Sequence, residues 1–234
     1  EGNIWTNNPV TLEPFIKDNP NIEKMMFSEN WYHTPLCIYK GKKQVIAKAF
    51  NAQNDFFEFF PFDFLQGSPK NAFQNENSLA ISKKTATLFF GTENPLGKQI
   101  QYDGRMVTVT AVYEINGNSS IATDAVVNNM KGKIEENKDR WGNFNCGWFI
   151  KLKDPSKTNE ISKKLNAIYY ENKIVKEAKE EGISPSEYQK KYGSFNFTLE
   201  PLSDSRLHTK GQGMPEGKAN FQFLIIMLGL SILI

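Results

Sequence analysis

Residues 54–69 read Asn54-Asp-Phe-Phe-Glu-Phe-Phe-Pro-Phe-Asp-Phe-Leu-Gln-Gly-Ser-Pro69. Phe56, Phe57, Phe59, Phe60, Phe62 and Phe64 crowd into this stretch, in a chain that carries 18 Phe in 234 residues. Aromatic side chains bring the largest apolar area per residue. A cluster this dense therefore predicts a wedge of core between a helix and a sheet, in preference to a ligand cage. Asn54 or Asp55 is placed to cap a short helix that Pro61 ends, and Gly67-Ser-Pro69 is a turn.

Downstream of the wedge, Leu79-Ala-Ile81 predicts a short strand. Ser82 follows as the N-cap of a helix over Lys83–Phe90, closed by Gly91. Pro95-Leu-Gly97 is a turn. Lys98–Tyr102 and Met106–Ile115 alternate as strands around Asp103-Gly104, a strong hairpin signal. Asn116–Ser120 is a loop, and Ile121–Val127 another strand. Upstream, a hairpin turn at Gly41-Lys42 separates strands Leu36–Tyr39 and Gln44–Phe50. Trp31-Tyr32 falls in a loop, and Ile22–Phe27 is a strand. Thr11 is expected to cap a helix with Pro14 in its first turn, stopped by Asn19-Pro20.

The polar stretch 128–143, including Lys131-Gly-Lys-Ile-Glu-Glu-Asn-Lys-Asp-Arg140, is the best internal boundary. Beyond it, Cys146–Leu152 is a strand. A helix starts near Thr158, with Ile161, Leu165 and Ile168 on one face. The Glu171–Glu181 charge run is its solvated continuation. Ser184 and Pro185 mark a second helix start, and Phe195–Leu199 a strand ended by Pro201. The chain closes on Phe221-Gln-Phe-Leu-Ile-Ile-Met-Leu-Gly-Leu-Ser-Ile-Leu-Ile234. At 1.5 Å per residue this run spans about 21 Å of a hydrocarbon core about 30 Å thick. It has no polar stripe, which a buried amphipathic helix would show, so 221–234 is expected to begin a truncated transmembrane helix. Glu1 follows no initiator Met and no signal-peptide pattern, so further sequence is expected before it.

The 28 basic and 26 acidic side chains nearly cancel, leaving no domain-wide basic field for nucleic acid. Cys37 and Cys146 are neither a disulfide framework nor a zinc set. They read as two small buried thiols, with a single disulfide in an oxidising compartment as the alternative. His33 and His208 have no metal-ligand neighbours at useful spacing and read as surface loop residues. No nucleophile elbow or activated Cys is present. In Gly211-Gln-Gly-Met-Pro-Glu-Gly-Lys218 the phosphate-loop pattern fails, because Gln212 stands where the first Gly belongs and Ala219 where Ser or Thr would hold Mg²⁺. No catalytic, cofactor-binding or metal-binding residue is assigned, and any ATP chemistry belongs to another chain or domain.

Several of these segments, in order, resemble the MacB-like periplasmic core domain of FtsX/MacB-type ABC transporter permeases. They are the aromatic stretch 54–69, Leu79–Gly91, Asn94-Pro-Leu-Gly-Lys98, Val107-Thr-Val-Thr-Ala-Val112, Asn118-Ser119 and Leu199-Glu-Pro-Leu-Ser-Asp204, with Leu207-His208 close by. Ser120 departs from the His common in that loop, and residues 1–40 and 171–193 align with nothing in the pattern. The resemblance implies an α+β fold in two parts. A discontinuous porter-like α/β subdomain, 1–45 plus 143–215, would carry an inserted mixed, β-rich, Sabre-like subdomain over 46–142.

It also implies a non-catalytic extracytoplasmic domain that transmits ATP-driven motion and docks periplasmic partners or cargo. The implied setting is the bacterial inner membrane, with this domain facing the periplasm. Implied partners are a cytoplasmic ATPase subunit or domain, a second permease copy, the membrane through flanking helices, and a periplasmic adaptor, lipoprotein or peptide cargo. The competing reading is a membrane-anchored periplasmic ligand-binding or sensor module with the Phe-rich section as its pocket.

Overall fold

A computed structural model describes residues 4–117, 119, 121–205, 208, 209, 211, 212, 221–223, 225 and 226. Its strands are β1 (Asn7–Asn8), β2 (Ile22–Ser28), β3 (Leu36–Tyr39), β4 (Lys42–Val45), β5 (Ala49–Ala52), β6 (Asp63–Gln66), β7 (Ser78–Ser82), β8 (Gln99–Tyr102), β9 (Arg105–Glu114), β10 (Ala125–Asn128) and β11 (Cys146–Leu152). The α-helices are α1 (Glu13–Ile16), α2 (Phe56–Phe59), α3 (Lys83–Phe90), α4 (Lys131–Asn137), α5 (Thr158–Tyr169), α6 (Lys176–Glu180) and α7 (Pro185–Tyr192). All strands join one mixed sheet in the order β1-β11-β2-β5-β10-β7-β9-β8-β3-β4, with β6 beside β9. The β5/β10 and β7/β9 pairs are parallel and the remaining ladders antiparallel. The fold is a mixed α/β domain.

Period-two alternation gives the central strands two buried faces. Phe50, Ala52, Ala80, Ala111, Tyr113 and Val126 face the phenyl wedge. Alanine at 52, 80 and 111, all fully buried, leaves room for Phe56, Phe57, Phe60, Phe62 and Phe73 to lie close to the backbone. The expected wedge is present, and its rings pack on each other, as in the Phe56–Phe60 and Phe57–Phe73 contacts at 5.0 and 5.1 Å. On the opposite face Leu79, Ile81, Val107, Val109 and Val127 pack beneath α3 through Phe90. A third core lies between β2/β11 and the helices, where Ile161 and Leu165 meet Leu12, Ile16, Tyr169 and Tyr188.

Local signals predicted several junctions well. Ser82 accepts from the Thr85 N–H, and Gly91 closes α3 at φ 60°. Ser184 and Glu187 form a capping box with Pro185 in the first turn of α7. Asp103 and Gly104 both take positive φ (44° and 83°) in the β8–β9 turn, as a type I′ hairpin requires. Gly67 is dictated twice. Its φ is +77°, and a Cβ there would stand 2.7 Å from the Thr110 carbonyl oxygen.

Other expectations are corrected. Thr11 caps nothing: it is buried inside a 3₁₀ turn (Val10–Leu12) that leads into α1, and its hydroxyl has no hydrogen-bond partner. The expected strand Gln44–Phe50 breaks in two, because Ile46 turns into the core with its N–H on the Pro35 carbonyl while β5 leaves to pair with β10. Asp55 precedes α2 without a side-chain cap bond. β6 was unpredicted, hidden among the phenylalanines. Residues 121–124 stay outside the ladder, so that strand begins at Ala125. Within the polar stretch 128–143, α4 forms and lays Ile134 beside Met130, Val10 and Phe27.

Phe195–Leu199, expected as a strand, joins no sheet among the described residues. The Asn166 amide holds it instead, donating to the Phe197 carbonyl and accepting from the Phe197 N–H, both at 2.8 Å. The charged continuation of α5 is helical, through a π segment (Tyr170–Val175) into α6. Asn118, Ser120, Leu207, most of the glycine-rich loop 213–218 and residues 224 and 227–234 lie outside the described residues.

Candidate functional site

The sheet is narrowest between β2 and β5. Those strands share one ladder pair, Ser28↔Ala52, flanked by the Glu29 N–H on the Asn51 carbonyl (2.9 Å) and the Gln53 N–H on the Phe27 carbonyl (3.2 Å). The Gln53 side chain adds one bond, accepting from the Phe27 N–H at 2.6 Å. By contrast, β2 and β11 pair along their whole length. Beyond Gln53 the two strands diverge, and α2 fills the gap. Phe60 and Phe59 meet Phe149 of β11 at 5.1 and 6.2 Å between ring centroids. At the rim, Lys24 of β2 forms ion pairs with Glu58 and, at 3.9 Å, with Asp55.

The chain crosses this seam twice, through residues 29–35 and back through 129–145, and the crossings are clipped together. Lys133 of α4 lies 3.7 Å from the Glu29 carboxylate and 5.0 Å over the Trp31 ring. His33, expected as a surface loop residue, is largely enclosed (23% exposed side chain) because it sits in the first crossing. Its Nε2 is 2.5 Å from the Tyr102 hydroxyl. Its Nδ1 faces Glu29 at 3.4 Å, within ion-pairing reach but off the line a hydrogen bond needs. Burial by itself would raise the Glu29 carboxyl, but His33, Asn51 and the Lys133 charge outweigh it and hold Glu29 below the usual carboxylate range. Burial drives the Tyr102 hydroxyl far above its ordinary value, so it stays neutral.

Asn30 completes the first crossing. Buried at 4% exposure, it donates to Thr6 Oγ1 at 2.9 Å and to Asn7 Oδ1. Gly147 of β11 lies directly against it: a Cβ at 147 would fall 1.8 Å from Asn30 Oδ1. Asn30, Lys133 and Gly147 carried no sequence signal, because their partners are remote in the chain, and Glu29 has only His33 nearby, with Asn51 and Lys133 far along the sequence.

Cys37 and Cys146 are free and buried in different cores, which settles the thiol reading against the disulfide. Burial pushes the two thiols up, to about 12 and about 11. Among the described residues, no group of three or more His, Cys, Asp or Glu side chains is placed to hold a metal ion. A shallow cleft of about 540 Å³ lies at the start of α3, away from the centre of the phenyl wedge. Its charges are already matched, Lys83 to Glu114 at 3.5 Å and Lys84 to Asp124 at 4.0 Å.

The family model of the MacB-like periplasmic core domain matches residues 7–168, from β1 to α5. The chain belongs to that family. It is a non-catalytic extracytoplasmic domain of a MacB/FtsX-type ABC transporter permease. Among solved structures it is similar to a domain of a permease protein from Porphyromonas gingivalis. That match is 20% identical with a TM-score of 0.61, covering 73% of this chain and 80% of the other. It is also similar to the periplasmic region of MacB from Actinobacillus actinomycetemcomitans, at 13% identity and a TM-score of 0.50, covering 82% and 85% of the two chains. At these identities the likeness is one of fold. No curated protein matches the chain.

Proposed function

We propose that this domain works as a two-part lever in a bacterial inner-membrane permease, facing the periplasm, with its parts turning as rigid bodies about the β2/β5 seam. The observation that carries this reading is the single ladder pair at Ser28↔Ala52, set between the longer β2/β11 and β5/β10 ladders, with the phenyl wedge reaching across it to Met26 and Phe149. The porter-like part would comprise β1, β2, β11 and the helices α1 and α5–α7. The Sabre-like part would comprise β3–β10 with the phenyl wedge and α3. In this reading its first boundary would lie near residues 29–35, a placement supported by the pairing of β3 with β8. In this reading the partners are a second permease copy and a cytoplasmic ATPase, with a periplasmic adaptor, lipoprotein or peptide as the passenger. The packed wedge favours mechanical coupling over a sensor pocket, because rings that fill each other's space leave none for a ligand.

The test is a reversible clamp across the wedge. Lys24→Cys with Glu58→Cys, in the complete permease, places two thiols where an ion pair now bridges the parts, while Cys37 and Cys146 remain buried. Joining them with a short bis-methanethiosulfonate is expected to cut cargo-coupled ATP turnover at least tenfold, with recovery on reduction. Unchanged turnover in fully clamped protein would overturn the lever.

A further inference from the structure

The two ends of the described fold meet at one edge of the sheet. The Thr6 N–H donates to the Gln212 carbonyl and the Gln212 N–H to the Ile4 carbonyl, both at 2.9 Å, with Trp5 and Gln212 side by side in a parallel bridge. The Thr6 hydroxyl adds a third bond to the Gln212 carbonyl at 3.0 Å. Ile4 and Trp5 are thus held in place, yet they are 46% and 58% exposed. A pinned, amphipathic indole turned outward is a poor match for bulk water and a good one for the headgroup layer of a bilayer.

What lies next to them has the same character. The Gly211 N–H donates to the Thr209 hydroxyl, and His208 packs its ring 4.8 Å from Phe221. Residues 221–223, 225 and 226 are helical, with Phe221, Phe223, Ile225 and Ile226 all 42–59% exposed. At about 100° per residue these side chains point to opposite sides of a helix, so no single face is turned to the fold. Gln222 is the one polar side chain among these described positions; a helix this apolar calls for an apolar medium, and the sequence continues in the same vein to Ile234. None of the described helices is long and apolar enough to cross a membrane.

We propose that Ile4 and Trp5 form a lipid-contacting foot, seated in the headgroup layer beside the apolar segment that starts at Phe221. This deepens the membrane-facing placement proposed above and rests on it. The foot would set the height and tilt of β1 and β11, and through them of the seam, relative to the bilayer.

The test uses the 234-residue chain with phosphatidylcholine–phosphatidylglycerol vesicles whose acyl chains are brominated either near the headgroup or near the terminal methyl. The chain is expected to float with the vesicles. Its tryptophan emission should be quenched more by the shallow bromines, and Trp5→Phe should remove most of that quenching while Trp31→Phe removes little. Flotation with shallow quenching untouched by Trp5→Phe overturns the foot alone. Failure of the chain to float overturns both the foot and the membrane placement beneath it.

Discussion

Gly147→Ala tests the packing that anchors the first crossing. Alanine in a strand is ordinarily favoured over glycine by about 0.5–1 kcal/mol, so an unobstructed site would gain stability. Here the new methyl would stand 1.8 Å from Asn30 Oδ1 and 2.9 Å from its Cγ. Asn30 cannot yield cheaply, because its amide is buried and holds Thr6 and Asn7 of the β1 edge. Overpacking costs about 1–3 kcal/mol, and a buried polar group left unpaired costs about as much. The net expectation is a loss of about 2–4 kcal/mol, which at about 2–4 °C per kcal/mol for a chain this size lowers Tm by about 4–16 °C. Urea denaturation of the wild type, Gly147→Ala, Asn30→Ala and the double variant closes a double-mutant cycle. Removing the Asn30 amide frees the space, so the double variant should be at least about 1 kcal/mol more stable than the sum of the single losses predicts. A neutral or stabilising Gly147→Ala, or strict additivity in the cycle, would refute the reasoning.

Two further outcomes follow from the same accounting. Asn166→Ala removes both bonds to Phe197, so hydrogen exchange at the Phe197 amide should quicken about 10–100-fold while strand β7 keeps its protection; unchanged exchange at 197 would show that aromatic packing alone holds the segment. Glu29 has a folded pKa below its ordinary 4.5, so its contribution is present above pH 4.5 and is lost as the pH falls through the lower folded value. Glu29→Gln is therefore expected to be less stable than wild type near neutrality, with the two melting temperatures converging in acid, and a gap that stays constant with pH would remove Glu29 as the cause.

The elements read correctly from the sequence are those whose cause lies within a few residues. Ser82 with Gly91, Ser184 with Pro185 and Glu187, and Asp103-Gly104 each carry their partner within one turn of chain. The failures have the opposite geometry. Thr11 has the chemistry of a cap, but core contacts draw it inside the turn. Phe195–Leu199 has strand composition, yet an asparagine on α5 supplies the pairing a neighbouring strand would otherwise give. His33 reads as a bland loop residue in sequence because Tyr102, which helps define its surroundings, lies 69 positions away.

For the candidate site the division is sharper. The aromatic stretch 54–69 and the ordered motifs after it were enough to identify the family and the presence of a phenyl wedge, because apolar density and turn chemistry are written along the chain. That the wedge fills a seam held by one ladder pair, and that Lys133 clips two crossings about a hundred residues apart, appears only when β2 and β5 lie side by side. Pairing between strands costs nothing in local propensity and leaves no mark on either segment alone. Tertiary contact therefore had to decide where the sheet is most narrowly joined.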